Sequence, residues 1–235
     1  MSTSKNDRIS VVIPAWNAGR FLVQAVESAL NQSLAAAEIV IIDDGSTDNT
    51  AAIAAELVLR DHRVRVVTQA NAGPGSARDR GIDETSGTLV ALLDADDLWL
   101  PRKLELQRAA LHASPSTGAV FTLAQNVFDG VAPRGPEGPM PAYLPSAMLT
   151  RRNIVLANGR FAAAGAISDW VPWFLRLREH TSIDIVSELL VHRRVHGANF
   201  TTQHRDKRAA YAKHVGDALR RRRNASTEGP TTGSV

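Results

Sequence analysis

Three aspartates, Asp94, Asp96 and Asp97, stand in the stretch "LLDADDLWL", directly behind a run of aliphatic residues. Carboxylates this crowded repel one another, so the arrangement asks for a compensating positive charge. Two carboxylates at i and i+2 after a strand both face one ligand if the chain bends there. An oxygen-only set of this kind suits a hard divalent cation, Mg²⁺ or Mn²⁺. Mg²⁺ keeps several waters and binds through one or two carboxylates plus substrate phosphates. A metal at these residues therefore implies a diphosphate ligand. The competing reading is a helix start, because acids ahead of "LWLPRK" would favour the positive end of a helix dipole. The motif by itself leaves both readings open.

The elements around the motif are legible from periodicity. "RISVVIPAWN" reads as a short buried strand ending at Pro14. In "AGRFLVQAVESALNQS" the apolar residues Phe21, Ala25, Ala29 and Leu22, Val26, Leu30 recur at i, i+4, i+8, as on a helix face. "EIVIIDDGSTDNT" is a second strand followed by a turn, with Ser46, Thr47 and Asp48 as candidate N-caps. "AAIAAELVLR" is a helix, "VRVVTQ" a strand, "GSARDRGIDETS" a short helix and "TLVALL" a fourth strand. Pro101 then opens a further helix that Ser114-Pro115 stops. This alternation predicts an α/β fold: a Rossmann-like, mostly parallel central sheet with helices on both faces. Ligands bind such sheets at the carboxyl ends of the strands. Those ends carry Ala15 to Asn17, Asp43 to Ser46, Gln69 to Gly73 and Asp94 to Asp97.

The second half is less regular. "AVFTLAQNVF" reads as one or two strands, and "DGVAPRGPEGPMPAYLP" as a long Pro/Gly-rich loop of the kind that binds or covers ligands. "SDWVPWFLRLREH" is helical, with Trp170, Trp173, Phe174 and Leu177 on one stripe, and "IDIVSELLVHRR" is a strand.

Composition removes several functional classes. The chain has 235 residues, 44% of them hydrophobic, enough to bury a full core. With no cysteine, disulfides, thiolate metal ligands and a cysteine nucleophile are out. The start, "MSTSKNDR", shows no signal peptide, and no apolar run approaches a bilayer span. A cytoplasmic protein is expected. The segment from Arg205 onward holds eight Lys/Arg against three acids, a net +5 that leaves −2 on residues 1–204. Basic charge is thus a property of the tail, and no nucleic-acid partner is expected. The tail reads as a basic helix and disordered end, 205–235. It is either solvated or a peripheral contact to anionic lipid at the inner membrane face. "NAGPGSARDRG" fails as a dinucleotide fingerprint, with Arg78 at the last glycine position, and no Gly-x-Ser-x-Gly elbow is present.

From about Ile9 to Phe200 the sequence resembles family 2 glycosyltransferases of the GT-A fold. The resemblance is carried by "VVIPAWNAGRFLVQAVESALNQS", "EIVIIDDGSTDNT" and "NAGPGSARDRGIDETSGTLVALLDADDLWLPRKL", and more weakly by "GAISDW" and "RRVHGANFT". It implies one GT-A domain over 1–204, with a nucleotide-sugar half at about 8–100 and an acceptor half at about 101–204. It implies that Asp94 and Asp96 hold Mn²⁺ or Mg²⁺ on a nucleotide-sugar diphosphate, a UDP-sugar in the first instance, with Ala95 bordering the donor. Asp97 would support the loop or the sugar. Pro14, Ala15 and Asn17 match the loop beside the nucleoside, largely through main-chain atoms. Asp44 matches the acid that hydrogen-bonds the base; its other reading is a turn residue capping the next helix. Arg78 matches an arginine near the donor, with Asp79 where the family has Asn. Asp169 matches the general base of an inverting transfer, and its other reading is the N-cap of the following helix. Ser168 replaces the usual Glu beside it. His196 matches a late motif near the diphosphate, as a third metal ligand or a donor to the leaving phosphate. Arg193 and Arg194 would steady that charge or remain solvated. The implied acceptor is a surface glycan, a lipid-linked glycan, a peptide or a small natural product. The rival class is a GT-A scaffold that binds without catalysing.

Overall fold

The computed structural model describes residues 7–133, 138–162 and 169–197. The chain divides into two compact units, Met1–Val195 and His196–Val235. Ser168 and the basic tail lie outside the described residues.

The first unit alternates β1 (Ile9–Ala15), α1 (Leu22–Leu30), β2 (Glu38–Asp43), α2 (Thr50–Arg60), β3 (Val64–Thr68), α3 (Pro74–Glu84) and β4 (Leu89–Leu92). These strands lie parallel in the order β3-β2-β1-β4. Their continuous apolar runs follow from burial on both faces. On β2, Ile39 and Ile41 join the main core, while Val40 and Ile42 pack with Ala77 of α3 on the other face. Gly81 of α3 is required by that packing, since a Cβ there would stand 2.2 Å from Val12 Cγ1.

Beyond β4 the sheet becomes mixed. It continues through β5 (Leu98–Trp99), α4 (Lys103–Ala113), β6 (Thr117–Phe128), β7 (Met140–Ala142), a 3₁₀ turn (Pro145–Ala147), β8 (Leu149–Arg151), α5 (Arg152–Ala157), α6 (Trp170–His180) and β9 (Ser182–Val195). The strand order runs β4-β8-β6-β9-β5, with β7 on β6. The β8 strand joins the parallel half to the rest through antiparallel pairs with β4 and β6. "AVFTLAQNVF" is one strand, not two. The Pro-rich segment is not all loop, because Met140–Ala142 pair with Thr122–Ala124. The helix expected from Pro101 starts at Lys103, with Pro101 and Arg102 in the preceding turn. No helix among the described residues is long and apolar enough to cross a membrane.

Candidate functional site

The loops after β1 and β2 are stitched together by side chains. Asp44 N donates to Ala15 O at 2.8 Å, extending the β1–β2 ladder past Pro14. Asn17 adopts φ 48°, a left-handed conformation that Asn tolerates better than most residues. In that pose Asn17 N donates to Ser46 Oγ at 3.0 Å and Asn17 Oδ1 accepts from Thr47 N at 2.8 Å. Ser46 and Thr47 therefore tie loops together and do not cap α2. Its N-cap position is Asn49, and Asp48 accepts from Thr50 N at 2.9 Å and Gly19 N at 3.2 Å. Trp16, passed over by the sequence reading, stands 52% exposed at this loop. An aromatic between Pro14 and Asn17 was the signal, since a flat exposed ring beside a site suits a ring ligand.

Asp44 is buried and does not cap α2. Its carboxylate reaches across to the loop before α3, accepting from Gln69 Nε2 at 2.7 Å, Ala72 N at 2.9 Å and Gly73 N at 2.8 Å. A carboxylate offers about four lone-pair sites, so three such bonds leave room for a ligand donor. Gly45 lets the turn pass: it has φ 68°, and a Cβ would lie 2.8 Å from Asn71 N.

Arg78 brings together two carboxylates that stand 75 positions apart in the sequence. On α3 its Nη2 donates to Asp94 Oδ1 at 2.8 Å, and its Nη1 lies 3.6 Å from Asp169 Oδ1. Burial opposes the Arg78 charge, but Asp94 and Asp169 outweigh it and raise the guanidinium's pKa above its ordinary value. Arg78 Nε, also buried, has no hydrogen-bond partner among the described residues. Asp169 occupies the N-cap position of α6, yet its side chain makes no capping bond. It lies instead against Gly75, where a Cβ would sit 2.0 Å from Asp169 Oδ2. Gly75 and Arg78, one turn apart on α3, thus form the face on which Asp169 rests.

The β4 loop is not a helix start. Leu98 and Trp99 after it form β5, paired with Val191 and His192 of β9. Asp97, whose role the sequence left between loop and sugar, is a buried pin. Its Oδ2 accepts from Ser146 Oγ at 2.6 Å and its Oδ1 from Arg194 N at 2.9 Å. Ser146 Oγ also accepts from Asp94 N at 3.1 Å. Burial, then the neighbouring Asp96 and Asp94 charges, raises the Asp97 pKa well above the usual carboxylate range. The turn carrying Ser146 is itself held from below. Trp99 Nε1 donates to Ser146 O at 2.7 Å, and Gln107 Nε2 to Ala147 O at 2.7 Å. Lys103 Nζ donates to Gln107 Oε1 at 2.8 Å and lies 4.0 Å from the Trp99 ring centroid.

Arg194 turns its side chain toward α1, where Nη2 donates to Gln24 Oε1 at 2.7 Å and the guanidinium lies 4.6 Å from the Phe21 ring centroid. Arg193 Nη1 donates to Asn126 Oδ1 at 3.4 Å. His196 opens the second unit, and the site rests on residues of the first alone. Ala95 is buried between the two partly exposed acids Asp94 and Asp96. No three His, Cys, Asp or Glu side chains among the described residues could hold a metal as a group. Two carboxylates at one strand end, without a protein cage, fit Mg²⁺ or Mn²⁺ arriving with phosphates.

Asp79 has a structural reason to differ from Asn. Its Oδ1 accepts from Phe161 N at 2.9 Å and its Oδ2 from Ala162 N at 3.0 Å. Burial raises its pKa, against the pull of those two bonds. In Asp79→Asn one acceptor oxygen becomes an NH₂ facing a backbone N–H. The expected cost is about 1–3 kcal/mol, read as a Tm lowered by roughly 3–10 °C. An unchanged Tm would show that the 161–162 backbone is held by other contacts.

Comparison with known proteins gives consistent matches. The model of the family described as Glycosyl transferase family 2 matches residues 10–161. The chain is 38% identical to chondroitin synthase of Escherichia coli over 119 residues, which are 51% of this chain and 17% of that protein. It is 40% identical to glycosyltransferase GlyG of Streptococcus pneumoniae over 101 residues, 43% of this chain and 34% of that one. The matches thus span well under half the length of these relatives. Among solved structures, S. aureus TarS 1–349 in complex with UDP-GlcNAc aligns with TM-score 0.69 and 18% identity, over 83% of this chain and 60% of that one. Mannosyltransferase PcManGT from Pyrobaculum calidifontis, in complex with GDP-Man and Mn²⁺, aligns with TM-score 0.69 and 16% identity, over 92% and 65%. At such identities these structures establish the fold, that of GT-A glycosyltransferases.

Proposed function

This chain belongs to glycosyl transferase family 2, and on that premise we propose that it is an inverting transferase, moving a sugar from a nucleotide-diphosphate donor to an acceptor hydroxyl. The observation that carries the reading is Arg78, within reach of both Asp94 and Asp169. One guanidinium thereby lies 2.8 Å from a candidate metal carboxylate and 3.6 Å from a candidate base.

In this reading Pro14, Ala15 and Asn17 border the nucleoside with main-chain atoms, and Trp16 offers a ring face. Asp44 contributes its remaining acceptor capacity to the base. Asp94 and Asp96 would hold Mn²⁺ or Mg²⁺, whose chemistry is to neutralise charge developing on the departing diphosphate. Asp169 takes the proton from the acceptor hydroxyl. The acceptor oxygen bonds to the anomeric carbon while the bond from that carbon to the phosphate oxygen breaks, and its electron pair leaves with the diphosphate. A single displacement of this kind inverts the anomeric centre. Arg78 Nη1, 3.6 Å from Asp169 Oδ1, orients the base at the N-terminal end of α6.

The nucleotide sugars bound by TarS and PcManGT support a donor of that class, UDP- or GDP-linked. The chondroitin synthase similarity supports a glycan acceptor in surface polysaccharide synthesis. Calorimetric titration with UDP- and GDP-hexoses tests the donor reading. At least one is expected to bind with Mn²⁺ present and to lose that affinity in EDTA; binding indifferent to metal across the set would refute it.

A further inference from the structure

The Pro-rich segment after β6 is used by none of the donor chemistry, yet it carries the exposed ring of Tyr143. Six rings, of Phe121, Tyr143, Phe161, Trp170, Trp173 and Phe174, form one packed cluster. Five of them are buried; Tyr143 is 46% exposed. It is held edge-on to Phe121 at 5.4 Å and tilted on Phe174 at 5.3 Å. Pro141 and Pro145 fix the backbone on either side. The ring is therefore rigid on one side and open on the other.

Hydrogen bonds tie this stretch to both parts of the site. Trp170, which directly follows Asp169, donates its Nε1 to Tyr143 O at 2.8 Å. Three residues beyond Tyr143, Ser146 holds Asp94 N and Asp97. The chain from 143 to 146 thus links the β4 loop to the residue beside the base. We propose that Tyr143 is the acceptor platform, its open face taking the apolar C–H face of a pyranose, so that the acceptor is a saccharide. This rests on the reading of Asp169 as base. A rigid ring with an apolar face and a polar hydroxyl matches a sugar, which has the same two characters. A peptide acceptor would instead add to the nearby strand β7, but Pro141 removes a backbone donor from that strand.

The test uses the whole chain with Mn²⁺ and UDP, probed by saturation-transfer NMR with maltose, lactose and N,N′-diacetylchitobiose. Ring-proton saturation is expected for at least one of them. Tyr143→Leu, which keeps an apolar contact with Phe121 and Phe174, should weaken that binding about tenfold. Tyr143→Phe should retain it. In transfer assays the loss should fall on acceptor KM rather than kcat. Wild-type acceptor KM in Tyr143→Leu, or saturation of a peptide probe and no saccharide, would overturn the proposal. Nucleoside-diphosphate release from a nucleotide-sugar donor is recorded in the transfer assays, which contain no added UDP. Its absence from the wild type sinks the transferase reading, whereas its presence with an unaltered acceptor KM in Tyr143→Leu sinks the platform alone.

Discussion

Asp169→Asn is expected to bind the donor as the wild type does and to transfer sugar about 10²–10⁴-fold more slowly. The substitution preserves shape and removes the ability to accept a proton. Asp169 is suited to such a test because its side chain is not spent on capping α6. It is one of two carboxylates beside Arg78, so the amide leaves Asp94 to pair with the buried guanidinium. The protein should therefore remain folded, and the defect should appear in kcat. Turnover within tenfold of the wild type would remove Asp169 from the mechanism and leave it a structural partner of Arg78.

Asp96→Ala is expected to lower donor affinity about a hundredfold in Mn²⁺, to the level measured in EDTA. Substitution of either neighbouring acid would confound the same test. Asp94 pairs with Arg78, and its loss would disturb the base as well. Asp97 anchors Ser146 and Arg194 N, and its loss would release the β4 loop. Affinity in Mn²⁺ equal to the wild type's would defeat the metal assignment.

Elements with their own periodicity were legible in the sequence. The i, i+4 stripes of α1 and the apolar runs of β1, β2 and β4 followed from local pattern, and with them the strand ends where polar residues gather. Features made by partners far along the chain were not. β5 is two residues long and has no period of its own; pairing with β9 creates it. That pairing is what excludes a helix immediately after Asp97. Asp44 reads as a turn residue because its partners, Ala72 and Gly73, lie 28 and 29 positions away. Asp97 reads as ambiguous because Ser146 and Arg194 are 49 and 97 positions distant. Gly75 looked like a fragment of a failed dinucleotide motif, and its physical reason is the approach of Asp169. Asp79 looked like a lapse from the family's Asn until two backbone N–H groups gave its carboxylate a purpose.

The central claim is catalysis by this site, as against binding on a catalytically silent scaffold. Nucleoside-diphosphate release from the donor that binds most tightly tests it most directly, followed with Mn²⁺, after EDTA, and after Mn²⁺ is restored. Steady release that stops with EDTA and resumes with Mn²⁺ is the predicted result. Tight, metal-dependent donor binding with no release, across saccharide and peptide acceptors alike, would contradict it.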